Sequence, residues 1–275
     1  ALTIRCLCKG RRDMMKKLGK IYLGAVLMFL YVPIFVLIVF SFNETKSRSV
    51  FSGFTLDWYR KLIHNDIIIS SLINTIIIAV IASIVSTILG TLAAIGINNM
   101  RRVPKAMVMN ITNMPIINPE IVTGVSLMLL FVFFAARMNL EFGFQTLVIA
   151  HITFDVPYVI LNIMPKFRQM DPHLYEAAQD LGCGPAKAFF KVVLPEIMPG
   201  VVSGFLMAFT YSLDDFVISY FTSGSTSQTL PITIYSMTRR KVSPEINALS
   251  AIIFAVVVII LLIKNFVENK QAKRA

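Results

Sequence analysis

Asp171-Pro-His-Leu-Tyr-Glu-Ala-Ala-Gln-Asp-Leu-Gly-Cys-Gly-Pro-Ala-Lys-Ala-Phe-Phe-Lys-Val-Val-Leu-Pro195 is a polar island between two apolar stretches, each of membrane-spanning length. Its punctuation predicts two short helices. Asp171 suits an N-cap, Pro172 the first helical position, and Leu174 to Leu181 the helix body. Gly182 is placed to end that helix in the left-handed conformation. Pro185 then opens a second short helix, which Pro195 is expected to close. Two short amphipathic helices at a bend make a knob, and a knob on the aqueous face of a membrane protein is placed to dock into something. An ordinary capped loop is the plainer reading.

The surroundings of the island fix the class. Of 275 residues, 56% are hydrophobic and only 15% charged, and the mean hydropathy is positive. A soluble surface needs more charge. A helix needs about 20 apolar residues to cross about 30 Å of hydrocarbon. Six segments qualify: Ile21 to Phe42, Leu72 to Ile97, Ala106 to Ala136, Phe144 to Met164, Ile197 to Phe221 and Ile246 to Ile263. The first is too long and too well flanked for a cleaved signal sequence. The expectation is an all-α polytopic membrane protein with six transmembrane helices. Its parts are an N-terminal segment 1–20, a transmembrane domain 21–264 containing the loop 165–197, and a tail 265–275. Residues 1–13 read as an upstream extension, because Met14 or Met15 before Lys16 and Lys17 is a natural start.

Basic residues orient the bundle. With a cytoplasmic N-terminus, 18 of the 26 Lys and Arg fall inside and 8 outside. Both termini and the Glu176 loop are therefore expected in the cytoplasm of a cell-membrane protein. The net charge of +11 follows from that topology, and no interleaved basic and aromatic surface points to nucleic acid. Cys6, Cys8 and Cys183 are too few and too scattered for a disulfide framework, and they are a weak metal signal; no metal ligand set is expected.

Outside, Asp57 is expected to cap a short interfacial helix carrying Trp58 and Tyr59, a structural role favoured over ligand binding. The third segment is interrupted by Asn113, Pro115, Asn118 and Pro119. It is either a packing kink or part of a pathway, since broken helix is tolerated in a membrane where it is buried or lines water.

The acidic residues carry the chemistry. An ionised carboxylate at the centre of a membrane helix costs about 2.5–3.5 kcal/mol on insertion scales. Glu120, Asp155, Asp214 and Asp215 lie that deep, without Lys or Arg in the same spans except at their ends. Such an excess calls for a cation, water or protonation. Counting by three and four from Asp215 along a continuous helix gives a small, polar stripe with Tyr211, Ser212 and Ser219; the same count from Asp214 is mostly apolar. Asp215 is thus read as lining a path, with Tyr211 as a ring face for an alkylammonium group, and Asp214 as lying near a subunit or helix contact. Capping of a helix break is the alternative for either. Asp155, near Pro157 and Tyr158, is a candidate for the same cavity. Glu120 is a candidate ligand or an N-terminal helix partner. His151 and His173 are read as structural.

Glu176-Ala177-Ala178, then Gly182 six positions after the glutamate, then Val192, Leu194 and Pro195, resembles the E-A-A…G…I-x-L-P loop of permease subunits in ATP-binding cassette importers; Val for Ile at 192 is the one departure. The resemblance implies a MetI-like importer permease fold, of the binding-protein-dependent inner membrane component type, and makes this loop a coupling helix seated in an ATPase cleft. Glu176 would hold the loop by hydrogen bonds, Gly182 would allow the bend, and Phe189 or Phe190 would anchor it. Ser212-Leu-Asp-Asp-Phe-Val-Ile-Ser219, Thr229 to Ser236 and Ser243 to Leu249 are similar to the second permease subunit of spermidine/putrescine importers, although relatives for other solutes share parts of these motifs.

That resemblance implies a homologous permease partner, two ATPase subunits holding ATP and Mg, and an extracytoplasmic binding protein. It also implies a small cationic substrate moved by alternating access. The segment Ser223 to Glu245, with Arg239, Arg240 and Lys241, would meet the binding protein. The chain has no G-x-x-x-x-G-K-[ST] phosphate loop, so it is expected to be no enzyme and to bind no cofactor itself. An ion-coupled secondary carrier, or an importer permease for a different small solute, are the alternatives; a membrane hydrolase lacks its motifs.

Overall fold

A computed structural model describes residues 2–45, 50–138, 141–171, 173–224, 226–240, 244–255 and 258–259, with the side chains of 2–17, 138 and 240 left aside. The described residues are almost entirely helical: α1 (Leu2–Phe40), α2 (Asp57–Ile63), α3 (Asp66–Asn98), α4 (Arg102–Ile117), α5 (Glu120–Met138), α6 (Phe144–Gln169), α7 (Leu174–Asp180), α8 (Pro185–Ala188), a π turn (Phe189–Val193), α9 (Leu194–Asp214), α10 (Val217–Thr222), α11 (Leu230–Arg240) and α12 (Pro244–Ala255). Among the described residues, five helices are long and apolar enough to cross a membrane, Leu18–Ser41, Asp66–Asn98, Glu120–Arg137, Phe144–Gln169 and Pro185–Asp214. The sixth expected span corresponds to the shorter apolar α12; residues 260–263 and the tail lie outside the described residues.

The chain divides into two compact units, residues 1–66 with 237–275, and residues 67–236. In the first, the loop after α1 is pinned by one side chain. Asn43 Nδ2 donates to the Val50 carbonyl at 2.9 Å, Asn43 Oδ1 accepts from the Ser52 amide at 2.9 Å, and the Asn43 carbonyl accepts from Trp58 Nε1 at 2.7 Å. Trp58 is consequently buried. It is structural, as expected, but it fills the loop interior, where membrane-surface placement had been expected. Asp57 does not cap α2 either: it is the first residue of the helix, and its amide donates to Thr55 Oγ1 at 3.2 Å.

The second unit is organised by α6 and α9, which run antiparallel. A Cβ added at Gly200 would stand 3.0 Å from the Asn162 carbonyl oxygen and 3.2 Å from Ile163 Cα; one added at Gly204 would stand 3.2 Å from Val159 Cα. Small residues at this four-residue spacing let membrane helices approach closely. Ala208 and Ser212 continue the stripe and are buried. On the other side of α6, a Cβ at Gly90 of α3 would lie 2.6 Å from Val159 Cγ1.

Three expectations about continuity change. Pro195 does not close a helix: backbone coils from α8 through a π turn, in which the Leu194 amide reaches the Phe189 carbonyl, straight into α9. Proline is tolerated in a first helical turn, and the wider π turn accommodates its ring. The third segment breaks only at Asn118–Pro119, while Pro115 stays inside α4 and Asn113 Nδ2 donates to the Met109 carbonyl at 2.7 Å. The fifth segment is not one helix; it breaks at Asp215–Phe216, where Asp215 is extended at φ −64°, ψ 121°.

Candidate functional site

The two breaks meet. A cavity of about 200 Å³ is lined by Pro115, Glu120 and Thr123 from the α4–α5 break, by Asp214 to Ile218 and Tyr211 from the α9–α10 break, and by Phe154 and Tyr158 of α6. Irregular backbone at membrane depth is stable where it is buried in protein or faces a polar cavity. Glu120, Asp214 and Asp215 bring three acidic residues into the lining, and no Lys, Arg or His side chain is part of it. Aromatic rings form the opposite chemistry: Tyr158 and Tyr211 pack with centroids 4.5 Å apart. Anionic oxygens beside ring faces suit an ammonium group joined to an aliphatic body.

Of the acids picked from sequence, Glu120 and Asp214 are exposed and line this space. Asp215 does two things. It contributes to the wall and also closes the start of α10, accepting the Ile218 amide at Oδ1 (3.2 Å) and the Ser219 amide at Oδ2 (2.6 Å). Asp155, expected to face the same cavity, is wholly buried outside the lining, with both oxygens lacking a hydrogen-bond partner among the described residues. Its neighbours Phe154 and Tyr158 do line the cavity. Ser212 and Ser219 are buried on either side of the break and bond to His151. Sequence reading missed Phe154, Thr123 and Phe216 as lining residues, since none carries a chemical signature.

The island folds only in part as its punctuation predicts: α7 ends at Gly182 and Pro185 opens α8, but His173, without a side-chain cap, precedes α7, Pro195 closes no helix, and Pro172 lies outside the described residues. Asp171 Oδ1 accepts the His173 amide at 2.9 Å. Gly182 takes φ +83°, with its amide bonded to the Gln179 carbonyl (2.8 Å) and the Cys183 amide to the Ala178 carbonyl (3.1 Å). That pair of bonds is a Schellman ending, which needs the left-handed residue glycine supplies. Glu176 is largely exposed, its Oε2 3.5 Å from His173 Nδ1. Ala177 and Pro195 are exposed and Ala178 buried. Leu194 and Phe189 pack on the core of α6 and α9, whereas Leu181 is 87% and Phe190 64% exposed. Phe190 is the exposed one of the two phenylalanines. A second cavity, about 550 Å³, lies beneath the loop between Asn98, Asn99, Phe167, Tyr175, Glu176 and Phe189.

A family model described as binding-protein-dependent transport system inner membrane component matches residues 86–273, which include both the cavity and the loop. The chain belongs to this family. Among the permeases it resembles is the putrescine transport system permease protein PotI of Escherichia coli, 39% identical over 236 residues, or 84% of each chain. The spermidine/putrescine transport system permease protein PotC of Haemophilus influenzae is 35% identical over 250 residues, covering 91% of this chain and 96% of that one. Among solved structures, that of a bacterial ABC transporter involved in the import of the acidic polysaccharide alginate superposes with a TM-score of 0.70 at 14% identity, covering 94% of this chain and 96% of that one. At that distance the likeness establishes the all-α fold and says nothing of role or solute. The protein is a multi-pass membrane component.

Proposed function

We propose that the chain is the permease subunit of an ATP-driven importer that moves polyamines, putrescine or spermidine, across the membrane by alternating access. The observation that carries the substrate is the cavity: three carboxyls and four aromatic rings, without a cationic side chain, at the meeting of two broken helices. Relatives named for putrescine and spermidine support the same chemistry. In this reading Glu120, Asp214 and Asp215 hold ammonium groups while Tyr158 and Tyr211 cover the methylene chain. Asp155 stays buried behind the wall and takes no part in this contact.

The loop Glu176 to Pro195 receives force from a partner ATPase that carries the ATP and Mg. Its exposed Leu181 and Phe190 supply the apolar contact and Glu176 the polar one. A homologous permease, two ATPase subunits and an extracytoplasmic binding protein complete the assembly, with the loop and both termini on the cytoplasmic side. Rocking of the bundle then exposes the cavity to each face in turn.

The test is uptake of radiolabelled putrescine by the complete complex carrying Asp215→Asn. Uptake at low substrate should fall about tenfold, the size expected for losing one charge-assisted contact, while the subunits still co-purify. Unchanged uptake would refute the substrate reading. Uptake that survives removal of the ATPase but collapses with the ion gradient would refute the energy source.

A further inference from the structure

His151 is completely buried in the middle of the second unit, and nothing in the proposed transport chemistry uses it. Its ring nitrogens face two different helices. Nδ1 lies 2.6 Å from Ser212 Oγ in the last turn of α9, and Nε2 lies 3.0 Å from Ser219 Oγ in α10. A neutral imidazole has one N–H and one lone pair, so each serine hydroxyl completes a bond in whichever tautomer is present. The ring ties together the two sides of the Asp215–Phe216 break.

Geometry makes that tie selective. On an unbroken helix, residues seven apart share a face but stand about 10.5 Å apart along the axis. The ring with its two bonds spans at most about 8 Å, taking hydrogen bonds of ordinary length. The bridge therefore closes readily on the bent chain and poorly on a straight one. Ser219 passes the constraint on: its hydroxyl meets His151 while its amide donates to Asp215 Oδ2 at 2.6 Å. His151 Nε2 is itself 3.7 Å from that same oxygen. The ring is held in turn by α6, which the glycine contacts press against α9.

We propose that His151 is a positioning residue for the cavity: by bonding Ser212 and Ser219 at once it fixes the α9–α10 bend, and through Ser219 it sets where the Asp215 carboxylate stands in the wall. The proposal rests on the polyamine reading for its transport consequence but not for its structural one, and the experiment separates the two.

In the complete complex, His151→Phe keeps an aromatic ring and removes both nitrogens. Amide exchange over residues 216–222, followed by mass spectrometry without any substrate, should quicken at least tenfold, because the Ile218 and Ser219 amides lose their fixed acceptor. Ser212→Ala, a milder change that cuts one arm of the bridge, should quicken the same peptide by a smaller factor and guards against a His151 variant that fails to assemble. Unchanged exchange in both variants would overturn the proposal.

The transport arm measures the half-saturating putrescine concentration for His151→Phe, Asp215→Asn and the double variant. A residue acting through Asp215 raises it about tenfold alone and adds less than twofold on top of Asp215→Asn. Multiplying effects, or a fall in maximal rate with half-saturation unmoved, would show a merely structural histidine and overturn the positioning role. Normal half-saturation in Asp215→Asn alone would instead refute the polyamine reading and leave the exchange result standing.

Discussion

Gly182 offers the sharpest test of the coupling loop, because an added side chain there meets nothing. No heavy atom lies within 4 Å of a Cβ built at Gly182, yet its φ is +83°. Any cost of substitution is therefore backbone conformational cost alone. A left-handed conformation costs an ordinary residue about 1 kcal/mol and a β-branched one about 2 kcal/mol. Helix α7 has seven residues, too few to be stable without its neighbours, so the strain subtracts directly from the population of the folded loop. The ratio of docked to undocked loop should drop about fivefold for Gly182→Ala and about thirtyfold for Gly182→Val. Gly184 is the internal control: it also has nothing within 4 Å of an added Cβ, but at φ −64° and ψ 157° it sits where any residue is at ease. Reconstituted complex should show putrescine uptake per ATP hydrolysed falling in the order Gly184→Val, Gly182→Ala, Gly182→Val, the first equal to wild type. Equal behaviour of Gly182→Val and Gly184→Val would refute the reasoning, since φ is positive at the first site and negative at the second.

Two further outcomes follow from contacts already described. Gly200→Ala should lower the stability of the complex by about 1–3 kcal/mol through overpacking, because its methyl would press on backbone atoms of Asn162 and Ile163 that cannot turn aside; Gly96→Ala, with nothing within 4 Å, should leave the melting temperature level or raise it, and a thermal melt in detergent decides between them. Tyr211→Leu keeps apolar bulk but removes the ring that packs on Tyr158, so putrescine half-saturation should rise about two- to fivefold, in line with about 0.5–1 kcal/mol for an ammonium over an aromatic face, and an unaltered value would remove the ring from the site.

How much of this was legible depends on whether the determinant is local. The ending at Gly182 is written within a few residues of where it acts and was read correctly; the cap was not, since His173 precedes α7 without a side-chain cap and Asp171 only closes a turn onto the His173 amide. The break at Asp215–Phe216 was read only as the alternative to a continuous helix. Leu213-Asp214-Asp215-Phe216 contains neither proline nor glycine, so helical counting ran on through it to Ser219. What holds the bend is His151, more than sixty residues earlier in the chain, and no local pattern announces such a partner. Proline misled in the opposite sense at Pro115 and Pro195, where packing and a π turn absorb the lost hydrogen bond. Asp155 looked like a cavity residue by depth alone; only the antiparallel register of α6 and α9, set by Gly200 and Gly204, turns it away from the cavity wall. The acidic, aromatic character of the cavity was visible because charge in a membrane stands out wherever the chain puts it.

Val159 is gripped on two sides, by Gly90 from α3 and by Gly204 from α9. A side chain lodged between two bare backbones works as a rivet: neither helix slides along α6 until a gap opens for its methyl groups. Whatever motion carries a solute through, these three staves travel together, and the give in the machine is left to the joints at Asn118–Pro119 and Asp215–Phe216.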